Sequence, residues 1–144
     1  MTQSTIQGCV VRRFTAPAES VFDAWLDPAK ARRFLLAAAP FEDVSLLMEA
    51  RVGGRILVVE GRPGGDVEHA GEYLDIERPH RLVFSLFPAV QGPASDRVRV
   101  EITPLPIGCE LLLTVETSGE SVAVRDRLEE EWAEVLVELD ATLA

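Results

Sequence analysis

The C-terminal stretch VAVRDRLEEEWAEVLVELDATLA, Val122 to Ala144, decides the fold. It contains neither Gly nor Pro. Val124, Leu128, Trp132, Val135, Leu136, Leu139 and Leu143 recur at helical spacing and form one apolar stripe. Arg125, Asp126, Arg127, Glu129, Glu130, Glu134, Glu138 and Asp140 occupy the other side. At roughly 1.5 Å per residue such a helix is about 33 Å long, enough to cross a small domain. It cannot bury its stripe alone, so the chain before it has to supply an opposing apolar surface.

That surface reads as strands. Ile6 to Phe14 alternates, with Ile6, Gly8, Val10, Arg12 and Phe14 on one face, assigned inward, and Gln7, Cys9, Val11 and Arg13 on the other. Ala16-Pro17 ends this strand and opens a short helix whose apolar side is Val21, Ala24 and Trp25. Asp27-Pro28 starts a second, with Ala31, Phe34 and Leu35 inward. After Pro40 the period changes to two. Val44–Glu49, Arg55–Glu60, Glu68–Glu77, Arg81–Phe87, Arg97–Thr103 and Cys109–Thr117 are the expected strands. Val52-Gly53-Gly54, Gly61–Gly65, Arg78-Pro79-His80, Pro88–Asp96 and Pro104–Gly108 separate them. The order is strand, two short helices, six strands, long helix. Short turns between successive strands predict an antiparallel α+β meander, apolar on one face and covered there by the terminal helix.

The chain has 144 residues and 47% apolar content, the size and material of one domain with a substantial core. Asp and Glu outnumber Lys and Arg 24 to 14, and the formal charge of −10 makes nucleic acid and anionic membrane surfaces poor partners. No apolar run is long enough for a membrane span, and the N-terminus lacks a signal-peptide pattern. A soluble, cytoplasmic protein is expected. Cys9 and Cys109 fit no metal motif and are read as reduced thiols in or near the core.

Several segments together resemble one family. Arg12-Arg13-Phe14-Thr15-Ala16-Pro17 followed by Val21-Phe22-Asp23-Ala24-Trp25-Leu26-Asp27-Pro28 is similar to its opening. Val52-Gly53-Gly54-Arg55 resembles its glycine turn. Gly71-Glu72-Tyr73-Leu74-Asp75-Ile76 and Pro79-His80-Arg81-Leu82-Val83-Phe84-Ser85 resemble the paired strands that follow. Gly108-Cys109-Glu110-Leu111 resembles its last turn and strand, and Trp132 with Leu136 and Leu139 its terminal-helix signature. This is the START-like, or SRPBCC, superfamily, and within it the branch named after the activator of a heat-shock-protein ATPase. The resemblance covers nearly the whole chain and implies a single helix-grip domain over residues 1–144. In that fold a curved antiparallel sheet wraps a long C-terminal helix, with a cavity between them. It also implies that the first strand pairs with the last, which puts Cys9 opposite roughly Val115, too far from Cys109 for a disulfide. Two departures affect the cavity lining: Glu131 stands where glycine is usual, and Arg33-Phe34 where the second helix often ends in tryptophan.

No HExxH, GxSxG or glycine-rich phosphate loop is present, so no catalytic residue, metal or cofactor is assigned. His80 follows Pro79 in a turn and reads as solvated. His69 and Tyr73 lie on a strand that can face the cavity, although a bulge would reverse the parity at Tyr73. Arg12 is either a structural partner of a carboxylate or an anchor for a ligand carboxylate. The remaining cavity candidates are Phe34, Ile56, Val58, Phe84 and Leu86, then Val98, Val100, Leu111 and Leu113, and on the helix Leu128, Trp132 and Val135. A module binding a small hydrophobic molecule, a lipid or metabolite, is the leading reading. The alternatives are a co-chaperone-like interaction protein and a cyclase- or hydrolase-like enzyme acting on a hydrophobic substrate. A protein partner, and a monomer or homodimer, are left open.

Overall fold

The computed structural model describes residues 5–35, 44–61, 63–86, 96–118 and 122–143. Strand β1 (Thr5–Phe14) leads into helices α1 (Ala18–Leu26) and α2 (Pro28–Leu35). Six strands follow: β2 (Val44–Met48), β3 (Arg55–Glu60), β4 (Val67–Glu77), β5 (Arg81–Leu86), β6 (Asp96–Pro104) and β7 (Cys109–Ser118). Helix α3 (Val122–Leu143) ends the chain. The expected order is therefore observed, with strand ends within about two residues of the periodicity reading.

All strands join one seven-stranded antiparallel sheet in the order β1-β7-β6-β5-β4-β3-β2. β2 to β7 form a meander, and β1 closes onto β7 as the resemblance implied. Cys9 stands opposite Thr114, one position from the expected Val115, and Cys109 stands opposite Phe14. Both cysteines are free thiols. Cys109 is buried, but Cys9 lies on the solvent face of β1 and is exposed, which corrects its expected place in or near the core. Its strand parity, opposite to that of Phe14, is the physical reason.

One sheet face is apolar and buried. Its side chains line up across the strands through the register. One row runs Tyr73, Phe84, Val98, Val115, Gly8; the next runs Ile76, Leu82, Val100, Leu113, Val10; a third runs Ile102, Leu111, Arg12. Helices α1, α2 and α3 cover these rows. Pro17 takes the cap position of α1, and Asp27 Oδ1 accepts a hydrogen bond from the Ala29 amide at 3.0 Å at the start of α2. Arg78, in the turn after β4, grips the Asp23 carboxylate of α1 at 2.8 and 2.9 Å. That hydrogen-bonded guanidinium holds the Asp23 carboxyl below its usual range.

Close approach requires glycine at Gly54, where a Cβ would meet the Glu49 carbonyl, and at Gly108, and favours it at Gly8. A Cβ on Gly8 would come within 3.0 Å of Glu129 Cγ, so glycine lets α3 cross β1. Gly108 has φ +76° and packs against the Phe14 carbonyl, a backbone state that L side chains rarely adopt. At the same crossing the Cys9 amide donates to Glu129 Oε2 at 2.9 Å, so the helix also occupies part of the outer edge of β1. Among the described residues no helix is long and apolar enough to cross a membrane.

Candidate functional site

The space to consider lies between the inner sheet face and α3. Phe34, Ile56, Tyr73, Phe84, Val98, Val100, Leu111, Leu113 and Val135 are buried there. Arg12, Val58, Leu128 and Trp132 are half-buried. The side chains of His69 and Leu86 lie outside the described residues; the backbone of His69 pairs with Val58.

Tyr73 points inward because of a bulge. The register between β4 and β5 shifts between Tyr73, opposite Phe84, and Asp75, opposite Val83. Leu74 is the extra residue. Without the bulge Asp75, two residues on, would share the inner face with Tyr73. With it Asp75 turns to solvent, where it accepts from Arg81 Nε at 2.7 Å, and Ile76 takes the inner position. The Tyr73 backbone is fixed to the glycine turn before β3, its amide donating to the Gly54 carbonyl at 3.0 Å and its carbonyl accepting from the Gly53 amide at 2.9 Å.

The inner stripe of α3 is buried unevenly. Val135, Leu136 and Leu139, in its C-terminal half, are 6%, 0% and 0% exposed. Leu128 and Trp132, in its N-terminal half, touch the core but stay half-buried. On the facing strands Leu46, Met48 and Val58 are half-buried as well, and they share the face of Ile56 through the register Met48–Ile56 and Leu46–Val58. Half-buried apolar side chains thus lie on β2, β3 and the start of α3, and Leu143, at the far end of the helix, is half-buried too. Towards that far end Arg12 donates to Asp140 Oδ2 at 2.9 Å. Of the two readings for Arg12, the paired structural one matches this contact.

Among the described residues three buried polar atoms have no hydrogen-bond partner: Tyr73 Oη, Trp25 Nε1 and Arg12 Nε. Burial pushes the Tyr73 phenol up to about 12, so it stays neutral and able to donate across ordinary pH. Trp25 packs edge-on against Phe34 with ring centroids 4.9 Å apart and lies 6.1 Å from Phe84, the cross-strand neighbour of Tyr73. Trp25 entered the sequence reading only as an apolar residue of α1, and Leu46 and Met48 did not enter as candidates. The alternation of Leu46 and Met48 in β2 was the available signal for the latter pair. Trp25 carried only the general one, that an indole N–H needs a partner when buried.

Two concavities lined wholly by described residues lie elsewhere. One, of about 210 Å³, is on the solvent face of the sheet among Asp75, Arg81, Arg97, Arg99, Thr114 and Glu116. The other, of about 470 Å³, lies beside Cys9 and the acidic side of α3. Among the described residues no group of three or more His, Cys, Asp or Glu side chains is placed to hold a metal ion.

A curved antiparallel sheet gripping a C-terminal helix, with two short helices after the first strand, defines the helix-grip class of α+β proteins. Residues 15–144 match the family model described as Activator of Hsp90 ATPase homolog 1-like protein, and the chain belongs to that family. Solved structures share the fold. A protein of unknown function from Staphylococcus aureus superposes with a TM-score of 0.82 at 12% identity, covering 98% of this chain and 94% of that one. A protein from Cytophaga hutchinsonii gives 0.79 at 20% identity, covering 99% and 96%. One from Rhizobium loti gives 0.78 at 23% identity, covering 99% of both chains. No match is found among the curated proteins.

Proposed function

We propose that this protein binds a small apolar molecule between the sheet and α3, and that the molecule enters at the lip formed by Leu46, Met48, Val58, Leu128 and Trp132. The uneven burial of α3 supports this reading. Five sizeable apolar side chains stay half-buried on β2, β3 and the N-terminal half of α3, while Val135, Leu136 and Leu139 in its C-terminal half are buried. A half-open apolar rim gains from any apolar molecule that covers it, by about 25 cal/mol for each Å² removed from water. Native mass spectrometry of the gently purified protein tests it directly. The expected result is a reproducible adduct of lipid or metabolite mass that is lost on denaturation, and that Leu128→Lys removes at unchanged melting temperature. A bare protein that also fails to bind the apolar probe N-phenyl-1-naphthylamine would overturn the proposal.

A second reading, a regulator acting on a protein partner, draws on the family description and on exposed Val11 and Leu47, which are 58% and 57% accessible on the two edge strands. A pull-down that recovers no chaperone counts against it. The enzyme reading loses support from Tyr73, whose phenol keeps its proton up to about 12 and is a poor acid or base near neutral pH.

A further inference from the structure

We infer that Tyr73 Oη and Trp25 Nε1 form the polar end of this binding site and select a neutral apolar molecule carrying a hydrogen-bond-accepting oxygen, such as a ketone, an ester or an ether. The inference rests on the binding reading above and specifies its ligand.

Both side chains are 1% exposed, and neither polar atom has a partner. A buried donor without a partner is costly, and natural interiors keep few of them. Both residues neighbour Phe84. Tyr73 is the cross-strand partner of Phe84, and the Trp25 indole lies against Phe84 from above. Their row across the sheet continues through Val98 and Val115 to Gly8, where α3 crosses at Glu129. That crossing belongs to the N-terminal half of α3, the half with the open lip. The unpartnered atoms and the half-buried rim therefore lie at the same end of the molecule.

The chemistry of the two groups sets the class of ligand. An indole N–H can only donate, and the neutral phenol can donate too, so each requires an acceptor. A carbonyl oxygen has two lone pairs and can serve either donor or both. A carboxylate is disfavoured, because neither donor carries a charge to offset a buried anion. Arg12 lies four residues along β1 from Gly8, about 13 Å away at 3.3 Å per residue, and is held by Asp140. Both polar atoms are closed off from solvent.

The test uses N-phenyl-1-naphthylamine as the bound probe and displaces it with 2-nonanone, nonane or nonanoate, on the wild-type chain and on Tyr73→Phe. Comparing the ketone-to-alkane ratio between the two proteins cancels the difference in hydrophobicity of the competitors. The expected result is a ratio about tenfold larger for the wild type, the loss of one hydrogen bond. Probe affinity is measured for each protein so that the ratios are corrected for any change in it, and nonanoate should be the weakest competitor. Trp25→Phe serves as the second variant and should lower the ratio in the same way. Equal ratios in the wild type and both variants, or a preference for nonanoate, would overturn the inference while leaving the binding reading intact. Failure of the probe to bind the wild type would remove both.

Discussion

Tyr73 is the chain's single tyrosine, so its ionisation can be followed alone. Burial raises its phenol from 10.0 to about 12 in the folded protein. The sign follows from proton counting. Above pH 10 the unfolded chain releases this proton while the folded chain retains it. The stabilising contribution is complete below pH 10 and drains away as pH rises towards 12, by about 1.4 kcal/mol per pH unit and about 2.7 kcal/mol in all. Tyr73→Phe has no such loss. The substitution also removes a hydroxyl that has no partner, so at pH 7 it should be neutral or stabilising by about 1 kcal/mol, equivalent to roughly 2–4 °C in Tm. A partnered buried tyrosine would give the opposite sign. The assay is tyrosinate absorbance against pH on the folded protein, with urea unfolding of both proteins at pH 8, 10 and 11. The other titrating groups are common to both chains and cancel in the difference. A folded-state midpoint near 10, or a Tyr73→Phe protein less stable than wild type by more than about 1 kcal/mol at pH 7, would refute the reasoning.

Three further outcomes follow from the fold. Ellman's reagent should titrate one thiol in the native protein, exposed Cys9. The second should appear only with denaturant, because Cys109 is buried and burial pushes its thiol up. Gly108→Ala should lower stability by more than about 2 kcal/mol in urea unfolding, since it forces a Cβ into a left-handed conformation and against the Phe14 carbonyl. Arg12→Met should change stability by no more than about 1 kcal/mol, because the pair with Asp140 is over a third exposed at both ends and methionine keeps the apolar stem. Competition by 2-nonanone should be unchanged in that variant. Weaker competition at an unaltered melting temperature would instead make Arg12 part of the ligand site.

Most of the scaffold was legible because it rests on local patterns. The stripe of α3, the alternation of Val98, Val100 and Ile102, and the turns at Gly53 and Gly108 are short-range signals with one physical reading each. The candidate site was legible in part. Apolar positions such as Phe84, Leu111 and Leu113 share a face by strand period, and the structure buries them. The partner of Arg12 was out of reach, because Asp140 is 128 residues away and the contact depends on how α3 lies on β1. The lip was equally hidden. Leu128 and Leu136 are the same residue type on one stripe, and only the tilt of the helix separates half-buried from buried. The missing partner of Trp25 Nε1 is likewise a property of its surroundings, not of its place in the helix.

The extra residue at Leu74 has a consequence for how this chain tolerates insertions and deletions. A strand works like a two-letter reading frame, and the bulge is a frameshift that the turn at Arg78–His80 closes a few residues later. Deleting Leu74 would close the bulge and leave Tyr73, Asp75 and Ile76 in plain alternation, each on the face it now holds. Loss of Leu74 should therefore be far easier to accept than loss of a residue elsewhere in β4, which would move part of the strand to the wrong face.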